Sequence, residues 1–214
     1  NITHQFRQPL NNISYILINL KKRFDNKKLD EIYFDKKVLQ ANEQLQFLSK
    51  TIDDFKDFYT ITKEKEIFII KESIENAITI INADLKVHNV LLELNFETYE
   101  DIKIFGVKSE FIQVLVSIIS NSIDVLKSIK KPKIKISVLS NSAEVIIMLE
   151  DNGGGIKQKN LKKIFEPYFT TKENGTGIGL YLSKMIIEES FLGRISVENQ
   201  KEGARFSLFI EKAI

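Results

Sequence analysis

The chain of 214 residues contains no cysteine and no tryptophan, and it has only two histidines. The lack of cysteine excludes disulfide bonds and thiolate metal sites, and two histidines argue against a histidine-rich metal site. A net charge of +2 at pH 7 favours neither nucleic acid nor a membrane surface as a partner. The apolar fraction of 43% and the charged fraction of 28% are those of an ordinary globular protein.

Long hydrophobic segments are missing too. No apolar run approaches the roughly 20 residues needed to span a bilayer, and no signal peptide is recognisable. The chain opens with Asn1 rather than Met, so we expect a piece of a longer protein. Membrane attachment would then come only through missing N-terminal regions, and this piece itself is expected to be cytoplasmic.

Glycine is scarce until late in the chain, since eight of the nine glycines follow residue 150. They cluster in Asp151–Ile156 and Gly175–Leu180, with Phe165–Lys172 between the clusters. Clustered glycines let a backbone approach a ligand closely and adopt positive φ. A helix-patterned run containing Asn121 precedes both clusters. An acid, a helical asparagine and two glycine loops in this order predict a nucleotide site, although either cluster alone also fits an ordinary turn.

Residues 1–62 contain one proline and no glycine, and their apolar positions lie three and four apart in two runs. This spacing predicts two helices with coiled-coil-like stripes. The stripe of the first helix comprises Phe6, Leu10, Ile13, Leu17, Leu20 and Phe24, and that of the second comprises Phe34, Val38, Ala41, Leu45, Leu48, Ile52, Phe55 and Tyr59. The polar residues 21–30 predict the turn between them, with Asp30 as N-cap of the second helix. Two such helices cannot bury both stripes alone, so we predict a hairpin that dimerises into a four-helix bundle.

After a predicted linker at residues 62–66, strand and helix patterns alternate. The strands are predicted at 67–70, 90–96, 133–140, 145–149, 195–198 and 204–210, and the helices at 74–85, 109–129 and 177–190. The helix at 109–129 is predicted to have a polar stripe (Ser117, Asn121 and Asp124) opposite an apolar face that comprises Phe111, Val114, Leu115, Ile118, Ile119 and Leu126. The whole chain is therefore predicted to be an α+β protein. The helical hairpin is followed by an α/β two-layer sandwich with one face of its sheet covered.

The order and spacing of five motifs resemble the catalytic core of a sensor histidine kinase. These motifs are His4–Leu10 (HQFRQPL), the Asn121 helix, Asp151–Gly155, Phe165–Phe169 and Gly175–Gly179. The resemblance implies a dimerisation and phosphoacceptor hairpin at residues 1–62 and a GHKL-type ATP-binding domain at 66–214. It also implies ATP and Mg²⁺ as cofactors, a homodimer, and a response regulator receiver domain as the partner whose aspartate receives the phosphoryl group.

His4 is the implied phosphoacceptor, because a neutral imidazole nitrogen is a good nucleophile near pH 7. With about 3.6 residues per helical turn, His4 lies about 200° around the helix from Phe6 and points away from the apolar stripe. Pro9 removes one backbone hydrogen bond and predicts a local bend. The other histidine, His88, has no such context and is predicted to be a surface or packing residue.

The resemblance also assigns the nucleotide contacts. Asn121 would bind Mg²⁺ through its amide oxygen, a hard ligand of the kind magnesium prefers. Asp151 would accept a hydrogen bond from the adenine amino group, and Gly153 and Gly155 would let the backbone pass close to the base. Lys172, in the lid between the glycine motifs, would lie near the β- and γ-phosphates. The phosphate-binding loop would comprise Gly175, Thr176, Gly177, Gly179 and Leu180.

Other motif residues are predicted to be structural. Phe165 and Phe169 are expected to anchor the lid to the core. The segment Glu202–Phe206 resembles the final glycine motif of the family and is assigned to strand packing.

Departures from the family pattern keep alternatives open. Many family members have an acid after the phosphoacceptor, whereas Gln5 here cannot take a proton. Gln8 occupies the position where the family often orients a hydrolytic water, so phosphatase activity stays open. Ser117 stands where hydrolytic relatives carry glutamate as general base, which favours kinase over ATPase. The alternatives are an ATP-binding scaffold or pseudokinase, suggested by Gln5, and a hydrolytic ATPase.

Overall fold

The computed structural model describes residues 2–59, 64–96, 101–172 and 175–213, without the side chains of residues 2–8, 47 and 50–59. The chain forms two compact units. One contains helices α1 (Ile2–Asp25) and α2 (Glu31–Tyr59), together with Lys172, Gly175 and Thr176. The other contains the sheets and the remaining helices.

The turn between α1 and α2 is closed by caps at both ends. At the end of α1, Lys27 adopts a φ of 53°, and the Lys28 N–H donates to the Arg23 carbonyl at 2.9 Å. This is the Schellman arrangement, which satisfies a carbonyl at the helix end. At the start of α2, the Asp30 carboxylate accepts a hydrogen bond from the Tyr33 N–H at 2.7 Å. The prediction of Asp30 as N-cap is therefore confirmed.

The predicted turn at residues 21–30 is too long, because α1 continues to Asp25. Lys21 and Asp25 form an ion pair one turn apart, and Lys22 and Arg23 lie in the last turn, where cations suit the helix dipole. The largely polar residues 21–25, which form the last turn of α1, were therefore wrongly predicted to be part of the turn.

The apolar stripe predicted along the two helices is mostly uncovered in one chain. Ile16 and Leu48 are buried in this unit. The exposed members of the predicted stripe are Leu10, Leu17, Phe24, Phe34, Val38 and Leu45. The contact between α1 and α2 therefore covers only part of the apolar surface that the sequence supplies.

The second unit is built on a five-stranded sheet with the order β2-β4-β5-β7-β6. β2 is parallel to β4, and the remaining neighbours are antiparallel. The strands are β2 (Leu91–Phe96), β4 (Lys133–Ser140), β5 (Glu144–Asp151), β6 (Arg194–Asn199) and β7 (Ala204–Glu211). Alternate side chains of the three central strands are buried on one face, as in a sheet covered on one side.

Three helices cover that face: α3 (Ile70–Val87), α4 (Lys108–Leu126) and α5 (Gly179–Met185). α4 packs against β4 and β5, and α3 and α5 pack against α4. The predicted two-layer sandwich is confirmed. The predicted apolar face of α4 is also confirmed, since all of its members are buried: Phe111, Val114, Leu115, Ile118, Ile119 and Leu126.

The expectation that no apolar segment approaches the length of a membrane span is wrong: within the described ranges, α4 alone is long and apolar enough by length and composition. Its buried side chains pack between the sheet and the neighbouring helices. Its apolar composition is therefore that of a core helix.

A second, two-stranded sheet was only half predicted. β1 (Glu66–Ile69) pairs antiparallel with β3 (Lys103–Gly106), and the sequence pattern missed β3. The predicted linker ends too late, because Glu66 already belongs to β1, and its residues 62 and 63 lie outside the described ranges. α3 begins at Ile70 rather than at residue 74, since the Ile70 N–H donates to the Ile102 carbonyl at 3.0 Å.

The helix predicted at 177–190 begins two residues later, at Gly179. Gly177 has a φ of 67°, which is incompatible with a right-handed helix. Beyond Met185 the chain widens into a π-helical turn, Ile186–Ser190, closed by a 3.3 Å hydrogen bond from the Phe191 N–H to the Ile186 carbonyl.

Candidate functional site

Asp151 is the last residue of β5, and only 9% of its surface is exposed. Its Oδ1 accepts hydrogen bonds from the Gly153 N–H at 2.9 Å and the Ala204 N–H at 3.4 Å, while its Oδ2 accepts one from the Ser122 hydroxyl at 3.3 Å. Burial raises the pKa of Asp151, and these three hydrogen bonds partly offset the increase. A carboxylate has about four acceptor positions. The arrangement therefore fits one further donor, such as an exocyclic amino group.

The glycine loop after Asp151 lies close to its neighbours. A Cβ added at Gly153 would lie 2.6 Å from Cγ2 of Val125 in α4. A Cβ added at Gly155 would lie 2.8 Å from the Asn199 Oδ1. Gly155 also has a φ of 78°, which side chains rarely adopt. Side chains at these two positions would therefore require the Val125 side chain, the Asn199 side chain or the loop itself to shift.

Gly203, in the turn between β6 and β7, lies directly against Asp151. A Cβ added at Gly203 would overlap the Asp151 carbonyl oxygen and would lie 2.8 Å from Oδ1. The sequence predicts a role in strand packing for the segment around Gly203. In the structure, Gly203 belongs to the wall of the site, and its close approach is what lets the neighbouring Ala204 N–H reach the carboxylate.

Two asparagines that the sequence analysis missed hold the loop from opposite sides. The Asn152 amide accepts a hydrogen bond from the Lys133 N–H and donates one to the Lys131 carbonyl, both at 2.8 Å. The Asn199 amide accepts from the Ile156 N–H at 2.8 Å and donates to the Ile156 carbonyl at 2.7 Å. Asparagines beside a glycine cluster and at a strand end are the local signals that could have indicated these roles.

Asn121 lies on the half-exposed side of α4, as the predicted polar stripe requires. Its Nδ2 donates to the Ser117 carbonyl one turn earlier, at 2.8 Å. Ser117 in turn lies against α5, because a Cβ added at Gly179 would be 2.9 Å from the Ser117 Oγ. The structure therefore brings Asn121 and Gly179, two predicted site residues, to the same junction of α4 and α5.

Gly177 marks the end of the predicted lid in this unit. The Tyr168 N–H donates to the Gly177 carbonyl at 2.8 Å, and a Cβ added at Gly177 would lie 2.6 Å from the Tyr168 carbonyl oxygen. Phe165 contacts Phe206 of β7 edge to face, with centroids 6.4 Å apart. Leu180, in the first turn of α5, is half-buried.

The remaining predicted site residues belong to the unit of α1 and α2. Lys172 is exposed, Thr176 is buried, and the Gly175 N–H donates to the Lys172 carbonyl at 3.3 Å. Residues 173 and 174 of the predicted lid lie outside the described ranges. The backbone of α1 includes His4, Gln5 and Gln8, but their side chains are not among those described.

No three His, Asp or Glu side chains form a metal-binding group in the described part of the chain. Asp124, the third member of the polar stripe on α4, pairs with Lys127 at 2.6 Å. This hydrogen bond raises the pKa of Lys127.

A buried carboxylate beside bare glycine backbone can bind a flat ring through one hydrogen bond and close stacking. The chain belongs to the family of histidine kinase-, DNA gyrase B- and HSP90-like ATPases, whose profile matches residues 106–214. The match includes Asn121, Asp151 and both glycine motifs. The expected GHKL-type ATPase fold is thereby confirmed.

Among curated proteins, sporulation kinase D of Bacillus subtilis is 29% identical over 198 residues, which cover 92% of this chain. The two-component sensor PprA of Pseudomonas aeruginosa is 26% identical over 213 residues and 96% of this chain. The chain spans only 38% of the first relative and 23% of the second.

Solved structures are similar as well. The nucleotide-free catalytic domain of histidine kinase ThkA is 29% identical, with a TM-score of 0.64, and the match covers 70% of this chain and 96% of that domain. The complex of histidine kinase ThkA with response regulator TrrA matches 99% of this chain and 60% of that one, with a TM-score of 0.68 and 23% identity. At this identity the second likeness concerns the fold alone.

Proposed function

We propose that this chain is the catalytic part of an ATP-dependent protein-histidine kinase, which phosphorylates His4 and passes the phosphoryl group to an aspartate of a response regulator. The observation that supports this function best is the buried Asp151 carboxylate beside its glycine loop, in a chain of this ATPase family. Relatives matching over most of the chain bear the names of sporulation kinases and a two-component sensor.

ATP, when bound, supplies the phosphoryl group. Asp151 holds the adenine by accepting a hydrogen bond from its amino group, and Gly153 and Gly155 leave bare backbone beside the base. Lys172 supplies a counter-charge for the phosphates. The loop that holds the phosphates comprises Gly175, Thr176, Gly177, Gly179 and Leu180. Support comes from Gly177, whose φ of 67° and close contact with the Tyr168 backbone leave no space for a side chain.

Mg²⁺, when bound, neutralises charge on the phosphates. Asn121 holds the ion through its Oδ1, since magnesium prefers hard oxygen ligands. The hydrogen bond from Nδ2 to the Ser117 carbonyl supports this role, because it fixes the amide plane and turns Oδ1 away from that carbonyl.

The phosphoacceptor hairpin extends over residues 1–62 and the ATP-binding domain over 66–214. His4 acts as the nucleophile through a neutral imidazole nitrogen. Because Gln5 cannot accept a proton, the proton of that imidazole leaves to water or to another acid. Gln8 orients a water for hydrolysis of the partner's phosphoryl group, which gives the chain a phosphatase activity.

The hairpin pairs with that of a second chain in a four-helix bundle. The exposed apolar stripe supports this homodimer, because Leu10, Leu17 and Phe24 recur every seven residues along α1 and stay uncovered in one chain. The receiver domain of a response regulator is the proposed phosphoryl acceptor. Support comes from ThkA, whose catalytic domain is 29% identical to this chain and which has been solved in complex with a response regulator.

The test is incubation with Mg-ATP labelled at the γ-phosphate. The wild-type chain should acquire acid-labile, alkali-stable label, and His4→Gln should acquire none. His88→Gln is the matched control, because His88 is the only other histidine and lies at the end of α3. Label on His4→Gln, or its loss only in His88→Gln, would contradict the assignment.

A second candidate is an ATP-binding scaffold of the same fold, favoured by Gln5 beside the phosphoacceptor. Nucleotide binding without any label would support it over the kinase. Steady phosphate release without a response regulator would instead support a hydrolytic ATPase.

A further inference from the structure

Asn199 lies at the end of β6, next to the turn that leads into β7. Its side chain makes two hydrogen bonds to one residue of the glycine loop. The Oδ1 accepts from the Ile156 N–H at 2.8 Å, and the Nδ2 donates to the Ile156 carbonyl at 2.7 Å. Both polar atoms of the amide are thus committed to the backbone that follows Gly155.

The rest of the β6–β7 turn holds the same loop at other points. The Gly154 N–H donates to the Glu202 carbonyl at 2.9 Å. The Ala204 N–H donates to the Asp151 carboxylate, and Ala204 is the register partner of Asn199. One hairpin therefore contacts both the carboxylate of Asp151 and the backbone three to five residues later.

The Gly155–Ile156 part of the loop has no regular secondary structure to define its position. Gly154 and Gly155 have φ values of 82° and 78°, outside regular secondary structure. Among the described residues, Ile156 makes no backbone–backbone hydrogen bond. Within the described part of the chain, the N–H and the carbonyl of Ile156 are therefore both hydrogen-bonded by the side chain of Asn199.

We propose that Asn199 is a positioning residue for base selectivity. It holds the Gly155–Ile156 backbone at a set distance from Asp151, so that a purine with an amino group facing Asp151 fits and one with a carbonyl oxygen there does not. This inference rests on the proposed function. It concerns which base is bound, whereas a purely structural role would change stability and leave base preference unaltered.

The experiment compares ADP and GDP binding to the full chain by calorimetric titration. Wild type should prefer ADP. Asn199→Ala should weaken ADP binding about tenfold, the value of about one hydrogen-bonded contact, and leave GDP binding nearly constant. The ADP/GDP preference should therefore fall by a similar factor.

Asn141→Ala is the matched control. The Asn141 Oδ1 also accepts two backbone hydrogen bonds, from Ala143 at 2.9 Å and Glu144 at 2.7 Å, at the end of β5 opposite to Asp151. Asn141→Ala should lose about as much thermal stability as Asn199→Ala, and its affinities for ADP and GDP should equal those of wild type.

Asn199→Asp provides a second variant of the same size, in case the alanine variant does not fold. It keeps the acceptor for the Ile156 N–H and sets a carboxylate oxygen against the Ile156 carbonyl, so the preference should fall again. An unchanged ADP/GDP preference in the folded variants would overturn the inference. Failure of wild type to bind either nucleotide would instead overturn the proposed function.

Discussion

Gly203 and Asp151 are in such close contact that no side chain fits between them. A Cβ at Gly203 would overlap the Asp151 carbonyl oxygen and would lie 2.8 Å from Oδ1. The obstacle is backbone of a central strand, which cannot move aside like the end of a flexible side chain. The carboxylate and the β6–β7 turn therefore depend on each other.

Gly203→Ala should destabilise the protein and weaken nucleotide binding. The added methyl group forces Asp151 and the turn apart, at a cost of about 1–3 kcal/mol. Chemical denaturation and nucleotide titration measure the two effects. Gly154→Ala is the comparison, because a Cβ there meets nothing within 4 Å and only its φ of 82° is strained, which costs about 1–2 kcal/mol. Nucleotide binding lost equally in both variants would contradict a specific role for the contact at Gly203.

Because of Asp151, the free energy of unfolding should fall as the pH rises above 3.8, the ordinary pKa of an aspartate. Its folded pKa is raised above 3.8 by burial, so the folded state binds the proton more tightly than the unfolded state does. The contribution of this group to stability is complete below pH 3.8 and is lost as pH rises through the raised folded pKa. Asp151→Asn should remove this slope, as measured by denaturation at a series of pH values.

Nucleotide binding should show the opposite pH dependence at Asp151. The ionised carboxylate is the better acceptor for an adenine amino group, so affinity should rise with pH through the raised pKa. Asp151→Asn should bind adenine nucleotides weakly, with that rise abolished. A binding curve of the same shape in wild type and variant would show that another group governs the dependence.

Asn121→Ala should remove the effect of magnesium on nucleotide affinity. In wild type, Mg²⁺ should strengthen binding of a nucleoside triphosphate, because Asn121 is the proposed oxygen ligand of the ion. Asn121→Ala should bind the nucleoside triphosphate equally well in the presence of Mg²⁺ and of a chelator. Its affinity should equal that of wild type measured with the chelator. Asn76→Ala, on the exposed side of α3, is the control and should keep the full magnesium effect. If Mg²⁺ strengthened nucleotide binding by the same factor in Asn121→Ala as in wild type, Asn121 would not be a ligand of the ion.

Asp30→Ala should lower the stability of the hairpin without altering nucleotide binding. It removes the 2.7 Å hydrogen bond to the Tyr33 N–H that caps α2, with an expected loss of about 1 kcal/mol. Thermal unfolding followed by circular dichroism gives the change. Asp35→Ala, at an exposed position one turn into α2, should have a much smaller effect. Equal losses would mean that charge rather than capping stabilises this end.

The features predicted correctly from sequence are local ones. The apolar face of α4 follows from a 3.6-residue period, which stands out over 19 residues. Asp30 precedes the second apolar run and therefore indicates a cap. The candidate nucleotide motif, Asp151 and its glycines, is also local, and its binding role stays a prediction. In each case the signal lies within a few residues of the feature that it predicts.

The misses depend on partners that are distant in the chain. β3 has only four residues, too few for a clear alternation, and it is stabilised by pairing with β1 nearly forty residues earlier. The start of α3 depends on a hydrogen bond from Ile70 to Ile102. No local pattern marks either contact.

Local spacing and residue chemistry predict the class of protein, most of its helices and strands, and the candidate nucleotide motifs, because each of these is encoded within a short stretch of chain. The tertiary structure decided which residues hold those motifs in place. Asn199 is 43 residues from Ile156, and Gly203 is 52 residues after Asp151. Such pairs form only when the register of β5, β6 and β7 is set, and that register comes from packing of the whole sheet against α4.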